Sequence, residues 1–275
     1  MQTRVEIPGA TLNVLDVGEG TPILLVHGFP LDHTMWRLQV ADLSKDFRCI
    51  APDLRGFGLS SVTEGKVTLE QFADDLAALL DALQITQPIV FCGLSMGGYI
   101  AWHFVRRHAQ RLNALILCDT RAVPDAPEAA ANRLKMANDV VQQGASVAAN
   151  AMIPRLFAAE TAQTQPALID DLRQVILRTN PQGIAAAARG MAERADASPW
   201  LSSISIPSLV IVGEHDVISP VAEMRTIAAA IPHSQIEVLP NAGHMAPLEN
   251  ATMTNDAIRR FLESFNRTPQ ARASA

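Results

Sequence analysis

The spacing of apolar and polar positions changes several times along the chain, and each change marks an element. Residues 5–7 and 12–17 are short strand-like runs separated by Pro8-Gly9-Ala10, which predicts an antiparallel hairpin at a sheet edge. Residues 23–26, 48–51, 89–92, 114–118, 208–212 and 236–239 are further short runs, several of them apolar on both faces. Strands of that kind are buried on both sides, as in a mainly parallel sheet covered by helices.

Helical periodicity fills the intervals. Leu69, Phe72, Ala73, Leu76, Leu79, Leu80 and Leu83 form a 3.6-residue stripe that should lie on the sheet. Met96, Ile100 and Phe104 share a face after Ser95, and a last helix over 251–266 carries Ile258, Phe261, Leu262 and Phe265 on one side. Between Thr120 and Trp200 the strand signals vanish. Pro124, Pro127, Pro154, Pro166, Pro181 and Pro199 divide that region into helices expected over 128–143, 146–153, 166–178 and 183–194. The expected organisation is an α/β core from 1–120 and 201–275, a helical lid inserted at 121–200, and a frayed tail at 268–275.

Composition narrows the function classes. The 275 residues include 22 Lys and Arg against 28 Asp and Glu, a net charge of −6, so there is no basic footprint for nucleic acid. No stretch approaches the roughly 20 apolar residues that span a bilayer, and the amino-terminal residues do not resemble a secretory signal. Cys49, Cys92 and Cys118 all lie in or beside apolar runs, which suits buried thiols in a reducing, cytoplasmic setting. A soluble monomer or small homo-oligomer acting on a small molecule is the expectation.

The chemistry is concentrated in Cys92-Gly93-Leu94-Ser95-Met96-Gly97-Gly98, between an apolar strand and a helix. A serine on so tight a turn, with glycine two residues to either side, has its hydroxyl pushed outward as a nucleophile. Such a serine needs a histidine to take its proton and an acid to orient that histidine. His244, after the strand at 236–239, and Asp216, after the strand at 208–212, supply both at the strand ends where α/β sheets form clefts. The order Ser95, Asp216, His244 fits the elbow motif. His215 is a competing base and Asp119 an alternative acid. Glu214 reads as a loop-fixing residue and His27 as a shaper of its loop.

Negative charge developing on a carbonyl oxygen needs preorganised donors. The backbone N–H groups of Met96 and Phe29 are the expected pair, since Pro30 has none to give. Trp36, Met152, Phe157, Met191 and Trp200 are candidates for an apolar pocket suited to a neutral ester or lactone with a modest acyl portion. No cofactor or metal is expected. His215 and His244 form no compact ligand motif, and no lysine follows Gly97-Gly98 as a phosphate loop requires.

Five motifs then act together: His27-Gly28-Phe29-Pro30, the run from Pro52 to Ser60, Gly93-Leu94-Ser95-Met96-Gly97-Gly98, Gly213-Glu214-His215-Asp216 and Gly243-His244. In them the chain resembles the α/β-hydrolase superfamily over essentially its whole length. That resemblance implies eight strands with the second antiparallel, a lid after the sixth, and a structural turn at Asp53, Arg55 and Gly56. Within the superfamily the chain is similar to small bacterial carboxylesterases, to lactonases that include acyl-homoserine-lactone hydrolases, and to 3-oxoadipate enol-lactonases. Serine at the elbow separates it from the haloalkane dehalogenases and epoxide hydrolases, which carry aspartate there. The resemblance implies a serine hydrolase of carboxylic esters or lactones working through an acyl-serine. Perhydrolase or cofactor-free haloperoxidase activity at the same site, cleavage of an amide or carbon–carbon bond, and a catalytically silent binding protein stay open.

Overall fold

All eight strand-like runs pair into one sheet in the order β1-β2-β4-β3-β5-β6-β7-β8 in a computed structural model that describes residues 1–266, with side chains through Ser264. The strands are β1 (Gln2–Ile7), β2 (Ala10–Val17), β3 (Pro22–Val26), β4 (Arg48–Pro52), β5 (Ile89–Leu94), β6 (Leu112–Cys118), β7 (Ser208–Gly213) and β8 (Ser234–Leu239). Only β2 runs against its neighbours, pairing antiparallel with β1 and β4, and the remaining pairs are parallel. Every residue of β3, β5 and β7 is buried, which accounts for their unbroken apolar sequence.

The helices are α1 (Arg37–Leu43), α2 (Leu69–Ala82), α3 (Met96–His108), α4 (Pro127–Gln143), α5 (Ser146–Leu156), α6 (Ala159–Thr164), α7 (Pro166–Arg178), α8 (Pro181–Ala192), α9 (Val221–Ala230), α10 (Ala246–Glu249) and α11 (Ala251–Asn266). Thr68 starts α2 by accepting the Gln71 N–H on its hydroxyl, and the stripe Phe72, Leu76, Leu79 and Leu80 is then fully buried. Truncating any one of these leucines to alanine would cost about 2–5 kcal/mol. Among the described residues no helix is long and apolar enough to cross a membrane. The stretch 268–275 and the side chain of Phe265 lie outside the described residues.

Helices α4 to α8 occupy the interval between β6 and β7. Three differences from the pattern have physical causes. The helix expected to stop before Pro154 runs on to Leu156, because the Asn150 carbonyl that the proline leaves unbonded belongs to an exposed residue. The one expected over 183–194 begins earlier, with Pro181 at its first position and the Asn180 side chain accepting the Gln182 N–H. The six residues of α6 and the 3-10 turn Ser198–Ser203 are too short to show a periodic stripe.

Candidate active site

Strand β5 hands directly over to α3 at Ser95, whose backbone sits at φ 54° and ψ −109°. A side chain in that left-handed region costs on the order of 1–3 kcal/mol, so the surroundings must hold it there. They do so through hydrogen bonds from Ser95 N to the Cys118 carbonyl (2.9 Å) and from the Thr120 hydroxyl to the Ser95 carbonyl (2.8 Å). The turn is also as tight as the sequence implies. A Cβ on Gly93 would lie 2.5 Å from the carbonyl carbon of Gly97. Gly93 thus lets the end of β5 pass the first turn of the helix, and Gly97, whose Cβ would lie 2.4 Å from the Val26 carbonyl oxygen, lets that turn approach the end of β3.

The loops after β7 and β8 bring the other two groups to this serine. The Ser95 hydroxyl donates to His244 Nε2 at 2.9 Å, and His244 Nδ1–H donates to Asp216 Oδ2 at 2.8 Å. His244 and Asp216 are buried, whereas Ser95 keeps partial exposure, as a group that must meet a ligand requires. The second Asp216 oxygen accepts the N–H groups of Ile218 (2.7 Å) and Ser219 (3.0 Å). Burial pushes this carboxyl up. The neighbouring His244 and the two backbone donors outweigh it and hold Asp216 below the usual carboxylate range.

The alternatives lie elsewhere. His215 is 53% exposed and faces Glu214 at 3.9 Å, while Glu214 accepts the Asn241 N–H at 3.4 Å, a loop contact. Asp119 is fully buried behind the site, where one oxygen accepts the Gly213 N–H at 2.8 Å and the other has no partner among the described residues. Burial first, and the charge of Asp216 second, raise its carboxyl well above the ordinary value. His27 is buried, with Nδ1 on the Gly28 carbonyl (2.9 Å) and Nε2 accepting the Leu54 N–H (3.0 Å). Burial lowers its pKa, the Gly28 bond opposing. The loop it shapes packs on the elbow, with the Cβ position of Gly28 3.4 Å from Ser95 Cβ. Met96, as the first residue of α3, has an N–H without an intrahelical acceptor.

The sequence model of the alpha/beta hydrolase fold matches residues 21–251. The chain belongs to the alpha/beta hydrolase fold family. The curated 3-oxoadipate enol-lactonase 2 of Acinetobacter baylyi is 33% identical over 233 residues, 85% of each chain. Among solved structures, a thermophilic esterase from Thermogutta terrifontis superposes with a TM-score of 0.93 and 48% identity, covering 96% of this chain and 98% of its own. The enol-lactonase from Burkholderia xenovorans LB400 gives 0.89 and 33%, covering 95% and 100%.

In this alpha/beta hydrolase the five candidate pocket residues have different surroundings. Trp200 packs on α3. Its ring lies 4.2 Å below the Arg106 guanidinium and 5.4 Å edge-on from His103, on later turns of α3. Met191 is buried with its sulfur 3.7 Å from Arg133, and Trp36 is buried in the core. Met152 is half-buried against the core. Phe157 borders a cavity of about 630 Å³ shared with His215 and Val217 on the flank of the Asp216 loop.

Three polar ties seat the helical segment of the hydrolase on its core. Arg178 pairs with Asp32 at 3.0 Å beside the loop after β3. Asp125, held below the usual range by Arg133 and Arg194 against the opposing effect of burial, pins Arg194 over the Tyr99 ring at 4.4 Å. Glu249 makes the third. Its Oε1 accepts the N–H groups of Gly243 (2.9 Å) and Met245 (3.2 Å), and its Oε2 accepts Ala158 N–H (2.8 Å) and the Thr161 hydroxyl (2.6 Å). Sequence reasoning passed over Glu249, most of whose partners are backbone N–H groups.

The run after β4 is a hydrogen-bonded turn. Asp53 accepts from His33 N, Asn13 and Leu59 N, and Arg55 forms a two-point pair with Asp75 at 2.7 Å on both arms. Asp32, His33 and Asp53 come close enough to suggest a cation site, yet their carboxylate oxygens already serve these donors together with Thr34 and Arg178.

Proposed function

We propose that this chain hydrolyses carboxylic esters or lactones through an acyl-serine formed on Ser95. The observation that carries the reading is the unbroken relay from Asp216 through His244 to the Ser95 hydroxyl, at 2.8 and 2.9 Å. Relatives named esterases and enol-lactonases support the same bond class.

Each step follows from a named atom. Asp216, fixed on its far side by two N–H groups, keeps the proton of the neutral imidazole on Nδ1, so Nε2 stays free to receive. As Ser95 Oγ attacks the carbonyl carbon, its proton passes to Nε2, and the imidazolium lies against a carboxylate that stays ionised. The carbonyl oxygen gathers charge and meets the N–H groups of Met96 and Phe29, each such donor being worth about 3 kcal/mol in the transition state. Nε2–H then protonates the leaving alcohol. Water, activated by the same imidazole, releases the acid and restores Ser95. With a lactone the alcohol stays tethered, and a single hydroxy acid leaves.

The substrate is a small neutral ester or lactone. Aryl esters, simple lactones and acyl-homoserine lactones assayed by product mass, with wild type and Ser95→Ala in parallel, test this reading. Ser95→Ala should lose on the order of a million-fold in kcat while keeping its fold. Retention of most ester turnover by that variant would overturn the proposal.

A further inference from the structure

Glu249 stands between the loop that carries His244 and the α5–α6 connection. One oxygen takes the N–H groups on either side of His244, and the other takes two donors of the α5–α6 connection and α6, Ala158 N–H and the Thr161 hydroxyl. The surfaces between them are in contact. Met245 N–H also reaches the Leu156 carbonyl at 3.0 Å, and a Cβ on Gly243 would come within 2.6 Å of Ala158 N. Thr161 is buried although it lies on a six-residue helix. Three of the four partners are backbone N–H groups, two on one oxygen and one on the other, so a carboxyl accepts from both segments whereas an amide must turn its NH₂ toward the N–H of one of them.

We infer that Glu249 is a positioning residue that couples the seating of the 156–161 stretch to the placement of His244, so that the imidazole is held in line with Ser95 only while that stretch is docked. This rests on the acyl-serine reading above. The carboxamide of Gln in the same place would turn its NH₂ toward one of these segments, releasing either the histidine loop or the helical stretch. Loss of the Thr161 hydroxyl would loosen the helical side alone, at a residue that touches no reacting atom.

The test compares wild type, Glu249→Gln, Thr161→Val and Thr161→Ser on p-nitrophenyl acetate, with active sites counted by a fluorophosphonate and the low-field proton resonance of the His244–Asp216 bond followed by NMR. Glu249→Gln should lower kcat per counted site by about ten- to a hundredfold, with KM moving far less, and should shift or broaden the resonance. Thr161→Val should lower kcat in the same sense, and Thr161→Ser should restore it. Wild-type kcat per counted site in both Glu249→Gln and Thr161→Val overturns the inference, whatever happens to Tm. A fall with Glu249→Gln alone overturns the coupling. If Glu249→Gln fails to fold, the two Thr161 variants decide between those outcomes. Failure of the acyl-serine reading would show in wild type, as absent phosphonate labelling and absent turnover, and would take this inference with it. Failure of the inference by itself shows only in the variants.

Discussion

Replacing Asp216 by Asn separates the orientation of the imidazole from the stability of its loop. In the folded chain Asp216 Oδ1 accepts two backbone N–H groups, at 2.7 and 3.0 Å, and Oδ2 accepts His244 Nδ1–H at 2.8 Å. An asparagine must point its carbonyl at Ile218 and Ser219, since its NH₂ would otherwise face two donors. The NH₂ is then left facing His244, which must present an unprotonated Nδ1 and carry its proton on Nε2. That tautomer cannot accept from Ser95. The expected loss is on the order of 10⁴ in kcat, or about 5 kcal/mol of transition-state stabilisation. Tm should change little, because the loop keeps its two bonds. Asp216→Ala, which leaves both N–H groups unpaired, should be destabilised as well, by about 1–3 kcal/mol for each. The assay is turnover of p-nitrophenyl acetate per folded molecule, with Tm measured alongside. Asp216→Asn within about tenfold of wild type would refute the tautomer argument.

Two other buried groups give independent checks. Asp119 has a carboxyl raised by burial and by Asp216, so its contribution to stability is complete at low pH and is lost as pH rises from about 4 towards its native value. Asp119→Asn keeps the acceptor for Gly213 and carries no titrating proton. Its Tm relative to wild type should therefore climb between pH 5 and pH 8, and a difference that is flat with pH would count against this account. Burial pushes the Cys49 thiol up to about 12, and the hydrogen bond with Cys92, followed by burial, raises Cys118 well above its ordinary value. Native protein should leave Ellman's reagent almost unreacted, with all three thiols titrating on unfolding, and rapid native labelling would contradict their burial.

The central strands and the tight turn at Ser95 were legible because local rules dictate them. Apolar runs buried on both faces specify a covered parallel sheet, and Gly93 and Gly97 are needed within seven residues of chain. Asp216 and His244 were legible through their positions just past strand ends. The surroundings of the apolar candidates were not, because an apolar residue in the interval between β6 and β7 can face the core, another helix or solvent with the same spacing. Trp200 illustrates this, since its partners His103 and Arg106 are remote in sequence and give the helical pattern no reason to choose them. Glu249 escaped for a related reason. Its role depends on N–H groups from two separate segments, and backbone donors have no signature in a sequence.

The attachment of the helical stretch has a consequence for how this molecule can change. Strands β6 and β7 are hydrogen-bonded neighbours, with Leu115 opposite Ser208 and Cys118 opposite Ile211. The chain leaves β6 at Cys118 and returns at Ser208, which lies opposite Leu115, so the helical stretch is part of the crossover that joins two neighbouring parallel strands. It behaves as a cartridge in a socket. Exchange of the cartridge can change the helices that dock on the core while the rungs beneath stay in register, provided the replacement brings its own latches for Asp32, Tyr99 and Glu249.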